Sequence, residues 1–509
     1  MIALTLSEIA AACGGRLHAG DPAGVFTRVT TDSRAVLRGD LFVGLRGERF
    51  DGDAYAAEAV RDGAVGVVVR EETAVTLPKR AAVVVVDDGL AALGRLAAEV
   101  RRRSHVTVVA VTGSAGKTST KDILAALLRP VVRVVATRGN FNNEVGVPLT
   151  LLSIDESTEV VVTELAMRGL GQIADLTAVA RPDVGVITNV APVHLELVGT
   201  VERVAEAKAE LLDEMGQGTA VVPSGEPLLQ SCVKRFRGRV VTFGDEAADV
   251  FVVESERRGA RTHALVDAFG RRARFTFNFS GGHYLEDATA ALAAFVALGH
   301  HLEEAKTGAA RIELSGLRGE VGELPGGGLL LNDAYNANPL SMRAALDHLL
   351  AIAERRPAVA ILGDMYELGS SAAAFHQTVG AYAAQKRVRV IAVGELARDY
   401  LTGRAGEAWY ATVEECVAAL PGAVAPGSAV LVKASRALRL ERVAEALLHP
   451  ERPAKATAAS PPGAEALSHE RARDRSAAVT EAFKTKRAGR GKRAPRPGDA
   501  GKLGGGGDA

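Results

Sequence analysis

Cysteine is scarce in this sequence, which has only Cys13, Cys232 and Cys416 among 509 residues. Because these three lie far apart, the sequence predicts neither a disulfide framework nor a cysteine zinc site. It also lacks an apolar run near the roughly 20 residues that a membrane-spanning helix needs. Its N-terminus lacks the basic-then-apolar order of a signal peptide. These absences favour a cytoplasmic protein without an integral membrane segment.

Net charge is also lacking, since 61 Lys and Arg residues balance 61 Asp and Glu residues. Bulk electrostatics therefore does not indicate nucleic acid or a membrane surface as a partner. Aromatic residues make up 4% of the chain, whereas 47% of it is hydrophobic. At roughly 150 residues a domain, this length predicts three or four domains with sizeable cores.

The most informative stretch spans residues 106–124 and reads as an apolar strand, a glycine loop and a helix. Gly113 and Gly116 allow a tight turn whose N–H groups point inward, and the helix that follows presents its positive end to phosphates. Lys117 can reach the outer phosphates of a nucleotide, and Thr118 offers a hydroxyl to Mg²⁺. The alternative is a glycine-rich turn that binds no ligand. The spacing also departs from the usual phosphate loop, because two residues rather than four separate the glycines. The combination favours nucleotide binding.

The chain divides into four segments with different patterns. Residues 1–102 show short α/β alternation, and residues 103–312 contain the glycine loop and several continuous apolar strands, which are typical of buried parallel sheets. Residues 313–450 alternate again and predict a Rossmann-like sheet, although they have no Gly-x-Gly-x-x-Gly fingerprint. Residues 451–509 lack apolar periodicity and predict a disordered basic tail. The expected fold class is α/β with a mostly parallel central sheet.

Polar residues at the ends of the central strands suit phosphoryl transfer. Glu164 ends one apolar strand, and His194 follows the next, at the edge where open α/β sheets bind ligands. Mg²⁺ prefers carboxylates and hydroxyls, so Thr118 and Glu164 are candidate ligands, and His194 could complete a second metal site. A lone Glu or His is usually structural; their position beside a phosphate loop favours a role in the site.

Two further features have simpler readings. Asp32, Ser33 and Arg34 could bind an anionic or sugar-like ligand, but a turn with a surface ion pair explains them as well and is favoured. The run Arg101–Arg103 before the phosphate loop predicts a solvated helix end.

Several strings resemble the Mur ligase family and its folylpolyglutamate synthase relatives. The shortened loop Thr112-Gly-Ser-Ala-Gly-Lys-Thr carries the family resemblance. Four other strings, residues 139–150, 164–173, 188–196 and 332–339, are most similar to the family member that completes the peptide. Asp32-Ser-Arg with residues 39–43 resembles the uridine-nucleotide domain of that member and of the preceding ligase. In this order the resemblance covers about residues 1–448, and the tail has no counterpart.

The resemblance implies a UDP-sugar domain, a central ATPase domain and a Rossmann-like C-terminal domain. It implies an ATP- and Mg²⁺-dependent ligase of peptidoglycan synthesis, and hence of cell-wall formation, cell shape and division. Its substrates would be UDP-MurNAc-tripeptide and D-Ala-D-Ala. The tripeptide carboxylate would become an acyl phosphate that the dipeptide amine attacks. The three-domain ligases need no partner chain, so a monomer is expected.

The resemblance also implies roles for individual residues. Lys117, His194 and Lys208 would be catalytic, and the metal ligands would be Thr118, Glu164, His194 and Lys208, with Lys208 carried as a carbamate; a surface lysine paired with Glu206 or Glu210 is the alternative. ATP would be bound by Gly113, Ser114, Ala115, Gly116, Lys117, Thr118, Ser119, His283, Asp287, Arg318 and Asp333. The substrates would be bound by Ser33, Arg34, Asn142, Asn143, Tyr335, Asn336, Asn338, Lys433, Ser435 and Arg436.

Three positions depart from the family pattern. Asp287 stands where the family usually has an Asn near the adenine, and a carboxylate cannot donate the amide hydrogen bond. Ala434 replaces a glycine, and Ala115 lies in the loop where relatives often have Asn or Ser, which should matter little because backbone amides line the cradle.

Other functions stay open at this point. The preceding Mur ligase, which adds the third peptide residue, is the nearest, but its amino-acid motif is not found and residues 332–339 occupy that place. A folylpolyglutamate synthase would leave residues 1–102 unexplained. A non-catalytic nucleotide-binding protein is disfavoured by the intact Lys117, Thr118, Glu164 and His194. No Asn-Lys-x-Asp motif indicates a GTPase.

Overall fold

The computed structural model describes residues 1–47, 50–78 and 80–450. The predicted disordered tail, 451–509, lies outside the described residues. Within them, three large sheets follow one another along the chain, each covered by helices. No helix in the described ranges is long and apolar enough to cross a membrane.

The N-terminal unit is built on a five-stranded sheet of order β2-β7-β6-β5-β4, in which β2 runs antiparallel and the other strands run parallel. A separate pair, β1 and β3, flanks it. Its elements are β1 (Leu4–Thr5), α1 (Leu6–Cys13), β2 (Arg16–Ala19), β3 (Val25–Phe26), β4 (Val29–Thr30), β5 (Leu41–Val43), α2 (Ala56–Asp62), β6 (Gly66–Val69), α3 (Glu71–Ala74), β7 (Ala82–Val85) and α4 (Gly89–Arg103), with 3₁₀ turns at Ser33–Ala35 and Gly52–Tyr55.

The central unit holds a nine-stranded sheet of order β16-β15-β14-β13-β12-β11-β8-β10-β9. Strands β8 to β14 run parallel, and β15 and β16 extend the sheet with antiparallel pairing. Its elements are β8 (Thr107–Thr112), α5 (Lys117–Leu128), β9 (Val134–Ala136), α6 (Gly146–Leu151), β10 (Val160–Glu164), α7 (Gln172–Ala180), β11 (Val184–Ile187), α8 (Leu195–Val198), α9 (Val201–Met215), β12 (Thr219–Pro223), α10 (Gln230–Arg235), β13 (Arg239–Gly244), β14 (Val250–Arg258), β15 (Arg261–Ala268), β16 (Arg271–Phe277), α11 (Gly282–Ala297) and α12 (Lys306–Ala309), with 3₁₀ turns at Pro227–Leu229 and Leu302–Ala305.

The C-terminal unit has a six-stranded sheet of order β17-β18-β22-β19-β20-β21, parallel except for β17. Its elements are β17 (Glu320–Leu324), β18 (Gly328–Asn332), α13 (Pro339–Ala353), β19 (Ala358–Gly363), α14 (Ala372–Gln385), β20 (Arg389–Val393), β21 (Ala408–Tyr410), α15 (Val413–Ala423), β22 (Ala429–Lys433) and α16 (Glu441–Leu448), with 3₁₀ turns at Gly369–Ser371, Leu396–Tyr400 and Arg436–Leu438.

Strand order in the central sheet places the site. β8 lies between β10 and β11, so the chain leaves β8 toward one side of the sheet and later returns to the other side. The crevice beyond the carboxyl end of such a strand is where open α/β sheets bind ligands. The glycine loop follows β8 directly, while Glu164 ends β10, so both polar groups face this crevice.

Helix α9 shows how the local sequence positions a site residue. The Thr200 hydroxyl caps the helix by accepting from the Arg203 N–H at 3.3 Å, and Gly216 ends it with a φ of 68°. Val204, Lys208 and Leu211 share one face at helical spacing and are buried. Lys208 thus lies on the apolar face of the helix.

The prediction that Arg101–Arg103 is solvated is wrong for Arg101. Its guanidinium donates to the carbonyl oxygens of Ala180 and Arg181 and pairs with the Asp183 carboxylate at 3.0 Å. Those acceptors lie at the end of α7 and just before β11, so the arginine joins α4 to the central sheet.

Candidate active site

Two glycines in the phosphate loop are required by its geometry. Gly113 has a φ of 147° and Gly116 a φ of 77°, backbone conformations that residues with a Cβ rarely adopt. A Cβ on Gly113 would lie 1.9 Å from the Thr188 hydroxyl oxygen, and one on Gly116 would lie 2.0 Å from a carboxyl oxygen of Asp287. The loop is therefore shaped by close neighbours as well as by its own turn.

The loop is held by the residues that follow β11. Asn189 Oδ1 accepts from the Ala115 N–H at 2.9 Å, and the Thr188 hydroxyl donates to the Ala115 carbonyl at 2.6 Å. The Ser114 hydroxyl donates to the Ala191 carbonyl at 3.1 Å. Sequence reasoning assigned no role to Thr188 or Asn189, although polar residues directly after a buried strand could have indicated one.

Lys117 is the first residue of α5, and its side chain folds back into the loop that precedes the helix. Its ammonium donates to the Gly113 carbonyl at 2.9 Å and to the Ser114 carbonyl at 3.4 Å. Burial lowers the pKa of Lys117, and the nearby Glu164 carboxylate opposes that shift. The predicted phosphate lysine is thus held in place by the loop carbonyls.

Thr118 and Glu164, the two candidate oxygen ligands, lie side by side. The Thr118 hydroxyl donates to Glu164 Oε2 at 2.8 Å, and the Asn142 amide donates to Glu164 Oε1 at 2.7 Å. Glu164 is 1% exposed, so its carboxylate is held by these donors away from bulk water. A hydroxyl and a carboxylate side by side at the phosphate loop are a fitting oxygen set for Mg²⁺, which keeps several waters and needs few protein ligands.

His194 faces the C-terminal unit. It caps α8 with a φ of 55°, and its Nδ1 lies 2.5 Å from Glu367 Oε2. Burial lowers the pKa of His194, and the Glu367 carboxylate opposes that shift. In the described ranges, no group of three or more His, Cys, Asp and Glu side chains converges as metal ligands, so its role at a second metal stays a prediction. Sequence reasoning missed Glu367, which follows β19 by four residues.

Lys208 is buried, with 1% of its surface exposed. The reading of Lys208 as a surface lysine is therefore wrong. Burial and then the Lys117 charge lower its pKa well below the usual value, while Glu210 opposes the shift. The Glu210 carboxylate instead accepts from the Gly171 N–H at 2.6 Å and the Ala174 N–H at 3.1 Å, at the start of α7. Burial raises the pKa of Glu210 to about 7.

The opposite wall comes from the C-terminal unit. The Arg318 guanidinium carbon lies 3.9 Å from the centre of the Tyr335 ring, and its charge helps to lower the pKa of Lys117. The Lys433 ammonium pairs with Asp333 at 2.5 Å and donates to the Asn336 carbonyl at 2.8 Å. Arg318 and Lys433 thus line the same cleft as the phosphate loop.

Four predicted substrate contacts also have structural partners. Asn143 Oδ1 accepts from the Gly146 N–H at 3.0 Å, and Asn338 Oδ1 caps α13 by accepting from the Ser341 N–H at 2.8 Å. The Ser435 hydroxyl accepts from the Tyr366 N–H at 2.9 Å, and Arg436 pairs with Glu441 at 2.8 Å. Their side chains border the crevice while they stabilise its loops.

Helix α11 supplies the residues predicted to be near the nucleotide base. Asp287 interacts with Ser119, and burial raises its pKa well above the usual range, with Glu286 adding to the shift. The His283 ring lies 3.9 Å from the Tyr284 ring, and burial lowers the pKa of His283 to about 4. Nδ1 of His283 has no hydrogen-bond partner in the part of the chain that the structure describes.

These walls enclose one cleft of about 2160 Å³ that residues of all three units line. Most of the predicted site residues border it. Ser33 and Arg34 are not among the described residues that line it. They form the 3₁₀ turn after Asp32, and the Arg34 guanidinium pairs with Asp32 at 2.8 Å on the surface. The structure thus shows the turn and ion pair that the residues favoured, and their uridine role stays a prediction.

Comparison with known proteins finds the same architecture. The Mur ligase family catalytic domain matches residues 25–137, the Mur ligase middle domain matches 111–295, and the Mur ligase glutamate ligase domain matches 318–436. The UDP-N-acetylmuramoyl-tripeptide--D-alanyl-D-alanine ligase of Bacillus subtilis (strain 168) is 33% identical over 429 residues, covering 82% of this chain and 93% of that protein.

Two solved structures are similar along most of their length. MurF from Acinetobacter baumannii has a TM-score of 0.80 and 30% identity, covering 88% of this chain and 99% of that one. MurF ligase from Thermotoga maritima, solved with ADP, has a TM-score of 0.72 and 32% identity, covering 82% and 96%. The predicted three-domain α/β fold class is confirmed. The chain belongs to the Mur ligase family.

Proposed function

We propose that this protein is an ATP-dependent ligase that joins D-alanyl-D-alanine to UDP-MurNAc-tripeptide, giving the pentapeptide precursor of peptidoglycan. One observation carries the proposal. A phosphate loop with Lys117 and a Thr118–Glu164 pair faces Arg318 and Lys433 of the C-terminal unit across a single cleft. The relatives named for this reaction support the choice of substrates.

The chemistry follows from the electrophile. A peptide carboxylate is a poor acyl donor, so ATP transfers its γ-phosphoryl group to a carboxylate oxygen and ADP leaves. The dipeptide amine attacks the carbonyl carbon, and the tetrahedral intermediate loses phosphate and a proton to give the amide. Both steps bring anions together, so fixed cations at the cleft stabilise the charge that develops. Lys117 would act at the transferred phosphoryl group, with Arg318 opposite.

Mg²⁺ fits the oxygen pair at the end of β10. Thr118 and Glu164 would hold it, and the Asn142 amide would orient the carboxylate. When bound, the ion neutralises charge on the nucleotide phosphates. His194 and Lys208 complete the proposed metal and catalytic set.

Lys208 suits modification to a carbamate. Its burial and the Lys117 charge favour the neutral amine, which is the form that adds to CO₂ with loss of a proton. The product is an anionic oxygen ligand, whereas an ammonium would repel a metal ion. We propose that this carbamate is the active form.

The assignments to the peptide substrates rest on the same cleft, whereas those of Ser33 and Arg34, which do not line it, rest on the family match over residues 25–137. Asn142, Asn143, Tyr335, Asn336, Asn338, Lys433, Ser435 and Arg436 would contact the peptide substrates, and Ser33 and Arg34 the uridine end. The protein would act as a monomer in the cytoplasm.

Turnover with defined substrates tests the proposal. Phosphate release from ATP should require both UDP-MurNAc-tripeptide and D-Ala-D-Ala and should yield the pentapeptide. Release with the UDP-MurNAc-dipeptide and a diamino acid instead would assign the preceding reaction of the pathway. Absence of release with every combination would contradict a ligase function.

A further inference from the structure

A nearly buried ion pair lies on α5, one turn beyond the phosphate loop. The Lys121 ammonium and the Asp122 carboxylate are 2.6 Å apart, and their side chains are 2% and 13% exposed. Neither residue borders the cleft, and neither has a part in the chemistry described above. Removing charged groups from water costs free energy, which further hydrogen bonds of the two side chains must offset.

Each member of the pair holds a different loop that carries site residues. The Lys121 ammonium donates to the Thr137 carbonyl at 2.8 Å, where β9 ends and the loop with Asn142 begins. The Asp122 carboxylate accepts from the Ser315 N–H at 2.8 Å. Ser315 lies in the connection between the central and C-terminal units, three residues before Arg318.

The connection depends on such anchors because it has no regular structure. Residues 313–319 belong to neither helix nor strand. Leu317 has a φ of 60° and Gly319 a φ of 64°, so Arg318 is carried on a sharp turn. The Ser315 N–H bond to Asp122 holds the backbone three residues before Arg318. The Leu317 carbonyl, one residue before Arg318, accepts from the Tyr335 N–H at 3.1 Å.

Arg318 needs accurate placement. Its guanidinium stacks on Tyr335, and its charge acts on both Lys117 and Asp287. Its Nε is buried without a hydrogen-bond partner among the described residues. A cation that faces transferred phosphoryl oxygens loses much of its effect when displaced by about 1 Å, which can cost about 100-fold in rate.

We propose that Asp122 is a positioning residue for Arg318. Asp122 lies on α5, the helix that presents Lys117, and it fixes the Ser315 backbone against that helix. Lys117 and Arg318 therefore keep their spacing across the cleft. Lys121 holds the second carboxylate oxygen of Asp122 and thereby keeps it directed at the connection. This inference rests on the proposed function, because it assigns Arg318 to the nucleotide phosphates.

Three single variants separate positioning from general stability. Asp122→Ala removes the acceptor, and kcat/KM for ATP should fall about 10- to 100-fold. Asp122→Asn keeps an oxygen for the Ser315 N–H and should recover most of that loss. Asp249→Ala is the matched control, since Asp249 also accepts a backbone N–H, that of Thr242 at 2.8 Å, outside the cleft. Asp249→Ala should change the melting temperature about as much as Asp122→Ala does, while kcat/KM stays near the wild-type value.

A double variant tests the route. If Asp122 acts through Arg318, the double variant Asp122→Ala/Arg318→Ala should have a kcat/KM less than about threefold below that of Arg318→Ala alone. The reason is that the effects of substituting coupled residues are not additive. Equal effects of Asp122→Ala and Asp249→Ala, or multiplicative effects in the double variant, would overturn the inference.

Two readouts do not need turnover. Amide hydrogen exchange in residues 313–319 should be faster in Asp122→Ala than in wild type, and ADP affinity should fall in parallel. Should the wild type release no phosphate, the proposed function fails, and these two measurements still decide the inference. Unchanged exchange and unchanged ADP affinity would refute it.

Discussion

Replacing Gly116 with alanine should weaken nucleotide binding sharply, because two separate costs meet at this position. The φ of 77° places the residue in the left-handed region, which costs a residue with a Cβ about 1–2 kcal/mol. The new Cβ would also lie 2.0 Å from Asp287 Oδ1, whereas ordinary contacts begin near 3.4 Å. Relieving such overpacking costs about 1–3 kcal/mol.

Together these costs amount to about 2–5 kcal/mol. If the loop escapes them by leaving its phosphate-binding shape, affinity should fall by at least about 30-fold, at about 1.4 kcal/mol per tenfold. Calorimetric titration with ADP measures this directly. The thermal melting temperature reports whether the loss appears as lower stability instead.

Gly225→Ala is the matched control. Gly225 has a φ of 70°, and no atom lies within 4 Å of the place where its Cβ would be, so alanine there adds backbone strain without a clash. It should lower the melting temperature slightly and leave ADP affinity unchanged. Within an Asp287→Ala background, Gly116→Ala should cost less than it does alone. Wild-type ADP affinity in Gly116→Ala would refute the role assigned to this contact.

Three other expectations can be tested together. Lys117→Ala should leave a folded protein with negligible turnover, and near-normal rates would remove its phosphate role. Lys208→Ala should be inactive and partly restored by a short carboxylate that replaces the carbamate; full activity without additive would contradict the modification. Burial lowers the pKa of His283 and of His348 from 6.5 to about 4, so the unfolded chain binds more protons between these values. The contribution of these two histidines to stability therefore falls as the pH drops from about 6.5 toward 4, so the wild type should lose more stability over this range than a variant with His348→Gln on α13. Equal losses for both proteins in denaturant titrations would contradict this.

Local sequence predicted the parts of the fold that depend on local chemistry. Helix α9 follows the capping Thr200, buries one face at helical spacing and ends before Gly216, so its bounds correspond to signals in the adjacent sequence. The phosphate loop was likewise predictable, because its glycines, lysine and threonine are adjacent in the chain.

Contacts between distant residues could not be predicted from the sequence. His194 and Glu367 are 173 positions apart, and nothing near either residue indicates the other. Asp122 and Ser315 are 193 positions apart and meet only because α5 lies against the connection between the central and C-terminal units. Arg101 looked solvated because a run of three arginines is usually a solvated surface, but its acceptors come from a later loop.

Phosphate release from ATP in the presence of UDP-MurNAc-tripeptide, measured with and without D-Ala-D-Ala, tests the central claim most directly. We expect release only when both are present, with one UDP-MurNAc-pentapeptide formed for each phosphate. Release that is independent of the dipeptide, or its absence with both substrates, would contradict the assigned reaction.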